Sequence, residues 1–393
     1  MKVILNIDSL KPPITGIGNY TLHLSEALPS RAEVASLQFF SRMHSVPTRN
    51  RSAIRTLIPA RVRHAVRRLP YAYEARDKLA EVVLRQSTAG QDFLYHEPNY
   101  IAVRFAGPSV VTVSDLSHLR YPHFHPRVNV KRLEKHLGRS VAEAAQVITH
   151  SEFIRQELVG MMGVPPERIS IVSLGVSEEF RPRSEAELTP VLEPHGLAGV
   201  PYLLSVCTLE PRKNLSGLIQ AFASLPKSVR RTHPLVLVGH KGWLTESIES
   251  RMRPLQDQGE LLWLGYVPSA TLPMLYAGAY GFTYPSFYEG FGLPPLEAMA
   301  CGVPVLTSNV SAMPEVVGRA AAMIDPLDVD DIARGLQRLL YDHDFRQTAK
   351  QAGFELAREY TWKRCVDQTI AAYRAALSVA YGAESAVAQH PFA

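Results

Sequence analysis

Short apolar runs alternate with helical stretches along the whole chain, and they do so in two blocks separated by a polar stretch rich in proline, arginine and glutamate. These observations predict an α/β fold of two domains, each a parallel sheet covered by helices on both faces in the manner of a Rossmann-like nucleotide-binding unit. Length agrees, since 393 residues exceed the size at which one hydrophobic core keeps growing.

In the first half, residues 3–8 read as a strand, and Pro12-Pro13-Ile14-Thr15-Gly16-Ile17-Gly18-Asn19-Tyr20 then leads into a helical pattern ending at Leu28. Strand, glycine loop and helix in that order let Gly16 and Gly18 bring backbone close to phosphates or to an acceptor, although so short a motif serves a plain turn equally well. Residues 93–96, 110–114, 146–151 and 169–174 supply further strands, with a helix over 130–145 among the segments between them. Asp115 and His118 follow the strand that ends at 114, at the carboxyl edge where open α/β sheets bind ligands. They are the chemical candidates of the first domain, with a satisfied core or surface histidine as the plainer reading of His118.

The first domain is assigned to residues 1–185, and 180–200, which lack an apolar period, read as the linker. The second domain, 196–360, repeats the architecture with strands at 202–207, 235–239, 261–265, 280–284, 303–308 and 321–324, and helices at 215–225, 269–277 and 330–340. Helical sequence continues over 344–381, with 361–381 as a crossover helix and Gly382 suited to stop it.

Charge is unevenly spread. The net charge is only +5, yet residues 34–73 contain no acid while Arg42, Arg49, Arg51, Arg55, Arg61, Arg63, Arg67 and Arg68 all fall there. Apolar residues between the arginines recur near helical spacing, so this window reads either as an amphipathic segment for an anionic membrane surface or as a basic insertion. No stacking aromatics or recognition helix accompany the charge, which argues against nucleic acid. Hydrophobic content of 46%, no long apolar tract, a first stretch too polar for a signal peptide, and three scattered cysteines, Cys207, Cys301 and Cys365, fit a cytoplasmic globular protein.

The stretch richest in chemistry is Ser286-Phe287-Tyr288-Glu289-Gly290-Phe291-Gly292-Leu293-Pro294-Pro295-Leu296-Glu297-Ala298-Met299-Ala300-Cys301-Gly302. A strand precedes it, and prolines in the first turn with Gly302 at the far end mark 294–300 as a helix. Gly290 and Gly292 permit close approach of backbone to a ligand, and the unpartnered N–H groups that open a helix hold phosphate well. Glu289 and Glu297 frame that cradle, and ionised carboxylates accept several hydroxyl hydrogen bonds, so the pattern points to a sugar-phosphate ligand. Glu210-Pro211-Arg212-Lys213-Asn214 follows the first strand of the second domain, where Arg212 offers two donors to phosphate oxygens and Lys213 a point charge.

The seven residues between Glu289 and Glu297, the Gly-Phe-Gly, and Glu-Ala-Met-Ala-Cys-Gly-Val-Pro-Val resemble the signature of glycosyltransferase family 4, a family of retaining enzymes. Lys213-Asn214 is similar to the family's phosphate-binding motif. The resemblance implies a GT-B fold with the two sheets facing an interdomain cleft and the terminal helix crossing back onto the first domain. It implies a nucleotide-sugar donor with Arg212 and Lys213 on the diphosphate, Gly290, Phe291, Gly292 and Leu293 supplying amides, Glu297 on the ribose and Glu289 on the sugar. Family members commonly carry a His-Asp pair at the strand end where this chain has Ser114-Asp115, which leaves the histidine's role to Ser114, to His118 or to neither. The wording Ser-Asp-Leu-Ser-His and Thr-Leu-Glu-Pro-Arg-Lys-Asn is similar to bacterial mannosyltransferases of surface polysaccharide, with GDP-mannose the first choice of donor, GDP-rhamnose or a UDP-hexose the alternatives, and a lipid-linked saccharide at the inner membrane the acceptor.

No cofactor and no essential metal are expected. Asp328-Val329-Asp330-Asp331 and Asp342-His343-Asp344 contain the D-x-D pattern of metal diphosphate sites, yet each precedes a helix that an aspartate would cap. An NAD-dependent oxidoreductase should show a complete G-x-G-x-x-G followed by an acid, which neither half has. A catalytically silent sugar-binding protein of the same fold is the remaining alternative.

Overall fold

The structure is a computed structural model that describes residues 1–10, 14, 16–42, 44–47, 72–88 and 90–387. Its first sheet contains β1 (Lys2–Asn6), β2 (Ser36–Ser41), β3 (His44–Pro47), β4 (Phe93–Glu97), β5 (Ser109–Thr112), β6 (Gln146–Thr149) and β7 (Ile169–Ile171), ordered β3-β2-β1-β4-β5-β6-β7. All neighbours are parallel except β2 and β3, which form an antiparallel hairpin at the edge. β2 and β3 have no counterpart among the strands expected from sequence. Leu37, Phe39 and Phe40 bury β2 within the acid-free window, so part of that window is sheet and not a surface segment.

The second sheet contains β8 (Leu203–Val206), β9 (Leu235–Val238), β10 (Leu261–Trp263), β11 (Gly281–Tyr284), β12 (Val305–Ser308) and β13 (Ala321–Ile324). It is parallel throughout, ordered β10-β9-β8-β11-β12-β13. In each sheet the strand order reverses direction beside the first strand, between β1 and β4 and between β8 and β11. At such a point the flanking helices lie on opposite faces, and the carboxyl ends of the strands open a crevice. β9, β11 and β12 are buried along their whole length, as a sheet covered on both faces requires.

Residues read as a featureless linker contain the helix Glu185–Leu192, begun by Glu187, which accepts from the Ser184 N–H at 3.0 Å. The C-terminal sequence forms two helices, His343–Ala357 on the second domain and Trp362–Val387 on the first. The latter is pinned by His23 stacked on Trp362 at 3.9 Å, by Gln368 accepting from the Ser173 N–H at 2.9 Å, and by Tyr373 hydrogen-bonded to buried His96 at 2.8 Å. Gly382 does not stop this helix, which continues to Val387. Asp328 and Asp342 are helix caps: Asp328 accepts from the N–H groups of Asp330 and Asp331, and Asp342 from that of Phe345. Among the described residues, no helix is long and apolar enough to cross a membrane.

Candidate active site

The second domain brings two cations to its ligand edge. After β8 the chain makes a tight turn at Pro211–Lys213, and Asn214, in the left-handed region at φ 54° with its amide donating to the Pro326 carbonyl at 2.7 Å, starts the helix Leu215–Ala223. Lys213 Nζ thereby reaches the Tyr284 hydroxyl at 2.8 Å and Glu289 Oε1 at 2.6 Å. Arg212 donates to Glu289 Oε2 at 3.1 Å, to the Tyr288 carbonyl at 2.8 Å and to Glu210 Oε1 at 2.7 Å. Glu289 is thus held between both cations and is only 6% exposed. Burial alone would push its carboxyl up, but Lys213 and Arg212 outweigh that and hold it below the ordinary carboxylate value.

The loop after β11 faces the first domain. A Cβ on Gly290 would lie 1.8 Å from the Ser114 carbonyl oxygen, backbone that cannot step aside, while Gly292 sits at φ 101°, a conformation that strains any residue with a side chain. Ser151 Oγ donates to the Gly290 carbonyl at 2.8 Å. Among the described residues nothing accepts from the amides of Gly290, Phe291 or Gly292, and the helix Leu293–Ala300 begins directly after them. These amides, together with Leu293 at the helix start, lie where the sequence led us to expect an anion cradle, and their N–H groups have the donor capacity such a cradle needs.

On the opposite wall, Asp115 Oδ1 accepts from the N–H and Oγ of Ser117 at 2.9 and 2.7 Å. Burial raises the Asp115 carboxyl, yet Arg212 across the cleft and Ser117 together bring it below its ordinary value. His118 is buried with its ring edge-on to Tyr100 at 6.4 Å, and burial lowers its pKa against the opposing pull of Asp115. Asp115, His118, Glu210, Arg212 and Trp243 line one cavity of about 420 Å³ between the domains. The structure therefore joins the first-domain candidates to Arg212, and through it to Lys213 and Glu289.

Other candidates lie apart from that cluster. Glu297 is buried on the helix Leu293–Ala300, where burial pushes its carboxyl up to about 7, with Tyr276 as the polar neighbour that partly offsets the shift. Gly18 packs its own loop, since a Cβ there would lie 2.8 Å from the Ser9 carbonyl oxygen, whereas Gly16 has nothing within 4 Å of that position. Among the described residues no hydrogen bond joins either glycine to the second domain. Arg42 does not belong to a membrane-facing segment: it is buried, donating to Asp77 at 2.6 Å and to the Ile101 carbonyl at 2.6 Å, with Asp8 at 3.3 Å and Glu97 at 3.7 Å. Such a cage satisfies a desolvated guanidinium. Arg49, Arg51, Arg55, Arg61, Arg63, Arg67 and Arg68 lie outside the described residues.

Sequence reasoning overlooked several participants. Glu210 stood inside the quoted cassette but was not singled out, although it orients Arg212. His150 follows β6 as Asp115 follows β5, and the same strand-end argument would have found it. Ser311, whose Oγ accepts from the Glu289 N–H at 3.0 Å, and Trp243, which donates to the Phe124 carbonyl at 2.6 Å, carry no sequence signal of this kind.

Comparison with known proteins assigns the family and the fold. Residues 14–180 match the pattern of "Glycosyltransferase Family 4" and residues 193–356 that of "Glycosyl transferases group 1". The chain is 39% identical over 381 residues, 95% of its own length and 100% of the relative's, to an O-antigen chain mannosyltransferase B of Escherichia coli. It is 32% identical over 225 residues to the serotype-specific mannosyltransferase WbdA of Escherichia coli, covering 56% of this chain and 27% of that one. Among solved structures, a sucrose-phosphate synthase from Thermosynechococcus elongatus superposes with a TM-score of 0.71 over 95% of this chain and 98% of its own at 20% identity, a likeness of fold. A fully parallel sheet and a second one parallel but for its edge hairpin, facing a cleft, make this a GT-B fold, and the chain is a glycosyltransferase belonging to glycosyltransferase family 4.

Proposed function

We propose that the chain transfers a mannosyl residue from GDP-mannose, with retention of anomeric configuration, to a lipid-linked oligosaccharide during O-antigen assembly. The observation that carries the reading is the convergence of Lys213, Arg212 and Glu289 beside three unpartnered loop amides. Full-length similarity to an O-antigen mannosyltransferase supports the choice of sugar and pathway.

In this reading the arriving diphosphate displaces Glu289 from Lys213 and Arg212. Phosphate oxygens take up the two cations and the amides of Gly290 to Leu293, while the released Glu289 carboxylate accepts hydrogen bonds from the hexose. Negative charge grows on the diphosphate as the glycosidic bond breaks, and preorganised cations stabilise it without reorganisation. The acceptor hydroxyl attacks from the face that the diphosphate leaves, and a phosphate oxygen takes its proton. Glu297 holds the ribose. Asp115 and His118 border the acceptor side of the cavity. The arginines from Arg49 to Arg68 would hold the enzyme at the anionic inner surface of the membrane, where its acceptor resides.

The test is a panel of GDP- and UDP-sugars with purified protein, following nucleotide release with and without a lipid-linked mannosyl acceptor. Transfer from GDP-mannose that persists in EDTA is expected. Turnover confined to another nucleotide-sugar would replace the donor, a strict Mg²⁺ requirement would remove the metal-independent mechanism, and no turnover with any donor would leave a silent sugar-binding protein.

A further inference from the structure

The cavity between the domains has a wall that this mechanism leaves idle. It comes from the loop after β9, which carries Trp243 and is clamped to the loop bearing Glu210 and Arg212. Gly242 donates its N–H to the Leu209 carbonyl at 3.0 Å, and a Cβ on Gly242 would lie 2.4 Å from that same oxygen. Leu244, directly after Trp243, sits at φ 54°, a left-handed conformation that a bulky residue adopts only where its surroundings impose it. The indole is thus placed by backbone on both sides. Its Nε1–H crosses to the first domain and donates to the Phe124 carbonyl at 2.6 Å, with the His125 ring 6.0 Å away and tilted by 36°.

What else lines the cavity shows which ligand suits that wall. Two of its arginines are already spent: Arg42 is caged by Asp77 and Asp8, and Arg212 donates to Glu289 and Glu210. Uncharged groups are not. Asn99 and Asn129 line the same cavity, and among the described residues neither side-chain amide has a hydrogen-bond partner. His125 Nε2 is buried and also lacks one, and burial keeps this imidazole below its ordinary pKa, hence neutral. A half-buried indole beside two carboxamides and a neutral imidazole suits a ligand without charge that has hydroxyls and an apolar face. A pyranose is such a ligand, since its C–H groups pack on an aromatic ring while the hydroxyls at its edge pair with amides.

We propose that Trp243 is the stacking platform for a sugar residue of the acceptor glycan, which makes it an acceptor-binding residue. This rests on the hexosyltransferase reading above, in which the donor occupies Lys213, Arg212 and the glycine loop and leaves this wall to the other substrate. Because the indole belongs to the second domain and is braced by Phe124 of the first, the platform is complete only with the two halves together. The acceptor is therefore gripped by the closed molecule.

The experiment uses the full chain, the nucleotide-sugar that the donor panel selects and a lipid-linked mannosyl acceptor, with calorimetry of the matching nucleoside diphosphate beside it. Trp243→Leu, which keeps apolar bulk but has no flat face, is expected to raise the acceptor KM about tenfold, the scale of one aromatic contact, with nucleotide affinity and melting temperature unchanged. Trp243→Phe keeps a ring and loses the bond to Phe124, and its acceptor KM should stay within about threefold of the wild type. Both variants lack the indole N–H, so they separate a platform from a mere latch between domains. A wild-type acceptor KM in a folded Trp243→Leu, or equal rises in the two variants, would overturn the proposal while leaving the hexosyltransferase reading intact. A wild-type protein inert toward every nucleotide-sugar, or one that transfers to no saccharide, would overturn both.

Discussion

In the proposed reading Glu289 occupies the cations that the donor diphosphate would take, and this makes its removal informative. In Glu289→Gln the two cations lose their internal counter-charge, so GDP should bind at least as tightly as to the wild type. The hexose, however, loses a charged acceptor in the transition state, so kcat should fall by about 100-fold. Calorimetry beside steady-state kinetics separates the two effects; equal loss of GDP affinity and turnover would show that Glu289 only props up the cations. Glu297 behaves oppositely, because its folded pKa of about 7 lies above the unfolded carboxylate value. A raised folded pKa means that the proton favours the native state, so this residue's contribution is fully present near pH 4 and is lost as pH rises through about 7. Glu297→Gln, neutral at every pH, should therefore gain on the wild type in melting temperature between pH 5 and pH 8.5, approaching an advantage of about 3 kcal/mol. A pH-independent difference would count against a buried ionisation there.

Among the elements, the glycine loop is the one whose form follows most directly from what it touches. Gly290 packs on the Ser114 carbonyl, and a methyl at that point would have to push the first domain away, since backbone at 1.8 Å cannot be accommodated by a rotamer change. Gly290→Ala should keep GDP affinity, which depends on the second domain, and lose transfer by about 100-fold, which needs both walls; small-angle scattering should show a wider molecule. Much of this loop was legible in the sequence, because strand, glycines, prolines and helix start occupy fixed positions along a continuous stretch. The β2-β3 hairpin was not. Ser-Leu-Gln-Phe-Phe-Ser borders a run of arginines, and the local charge concealed a strand whose burial depends on β1 beside it. The helix Glu185–Leu192 was hidden for a similar reason: its capping glutamate and its proline resemble linker composition until the helix is seen packed on the second domain.

At the scale of the whole molecule, the two halves meet through groups far apart in sequence, and these are the contacts that sequence could not display. Glu315 of the second domain accepts from the N–H groups of Glu152 and Phe153, which open the helix Glu152–Met162 of the first, at 2.8 and 3.1 Å. A carboxylate there complements the positive helix end. Tyr288 accepts from the Leu116 N–H at 3.0 Å and donates to Glu157, and Phe287 stacks on Phe124 at 5.5 Å. Closure is therefore assembled around the cleft rather than at a remote hinge. Glu315→Ala should leave each domain's fold intact, raise the radius of gyration in solution, and weaken apparent donor affinity about fivefold, because less of the population is ready to bind. Unchanged scattering and kinetics would place the closing energy in the aromatic contacts instead. Sequence could name residues on each wall, such as Asp115 and Lys213, but which wall residues meet depends on separations of more than a hundred positions, for which a single sequence holds no local signal.

The cage around Arg42 reaches further than local stability. Its guanidinium holds Asp77 on the helix Ala72–Ser87 as well as Asp8 and the Ile101 carbonyl, so the arginine-rich stretch departs from and returns to one and the same side chain. Closing a loop twice as long costs only about 0.6 kcal/mol more, so with its two ends stapled this stretch can gain, lose or exchange residues at little cost to the fold. Since Arg42 also borders the interdomain cavity, the two described ends of that stretch are tied together beside the candidate active site, so a change in the stretch that pulls on the Arg42 cage reaches the lining of the cavity.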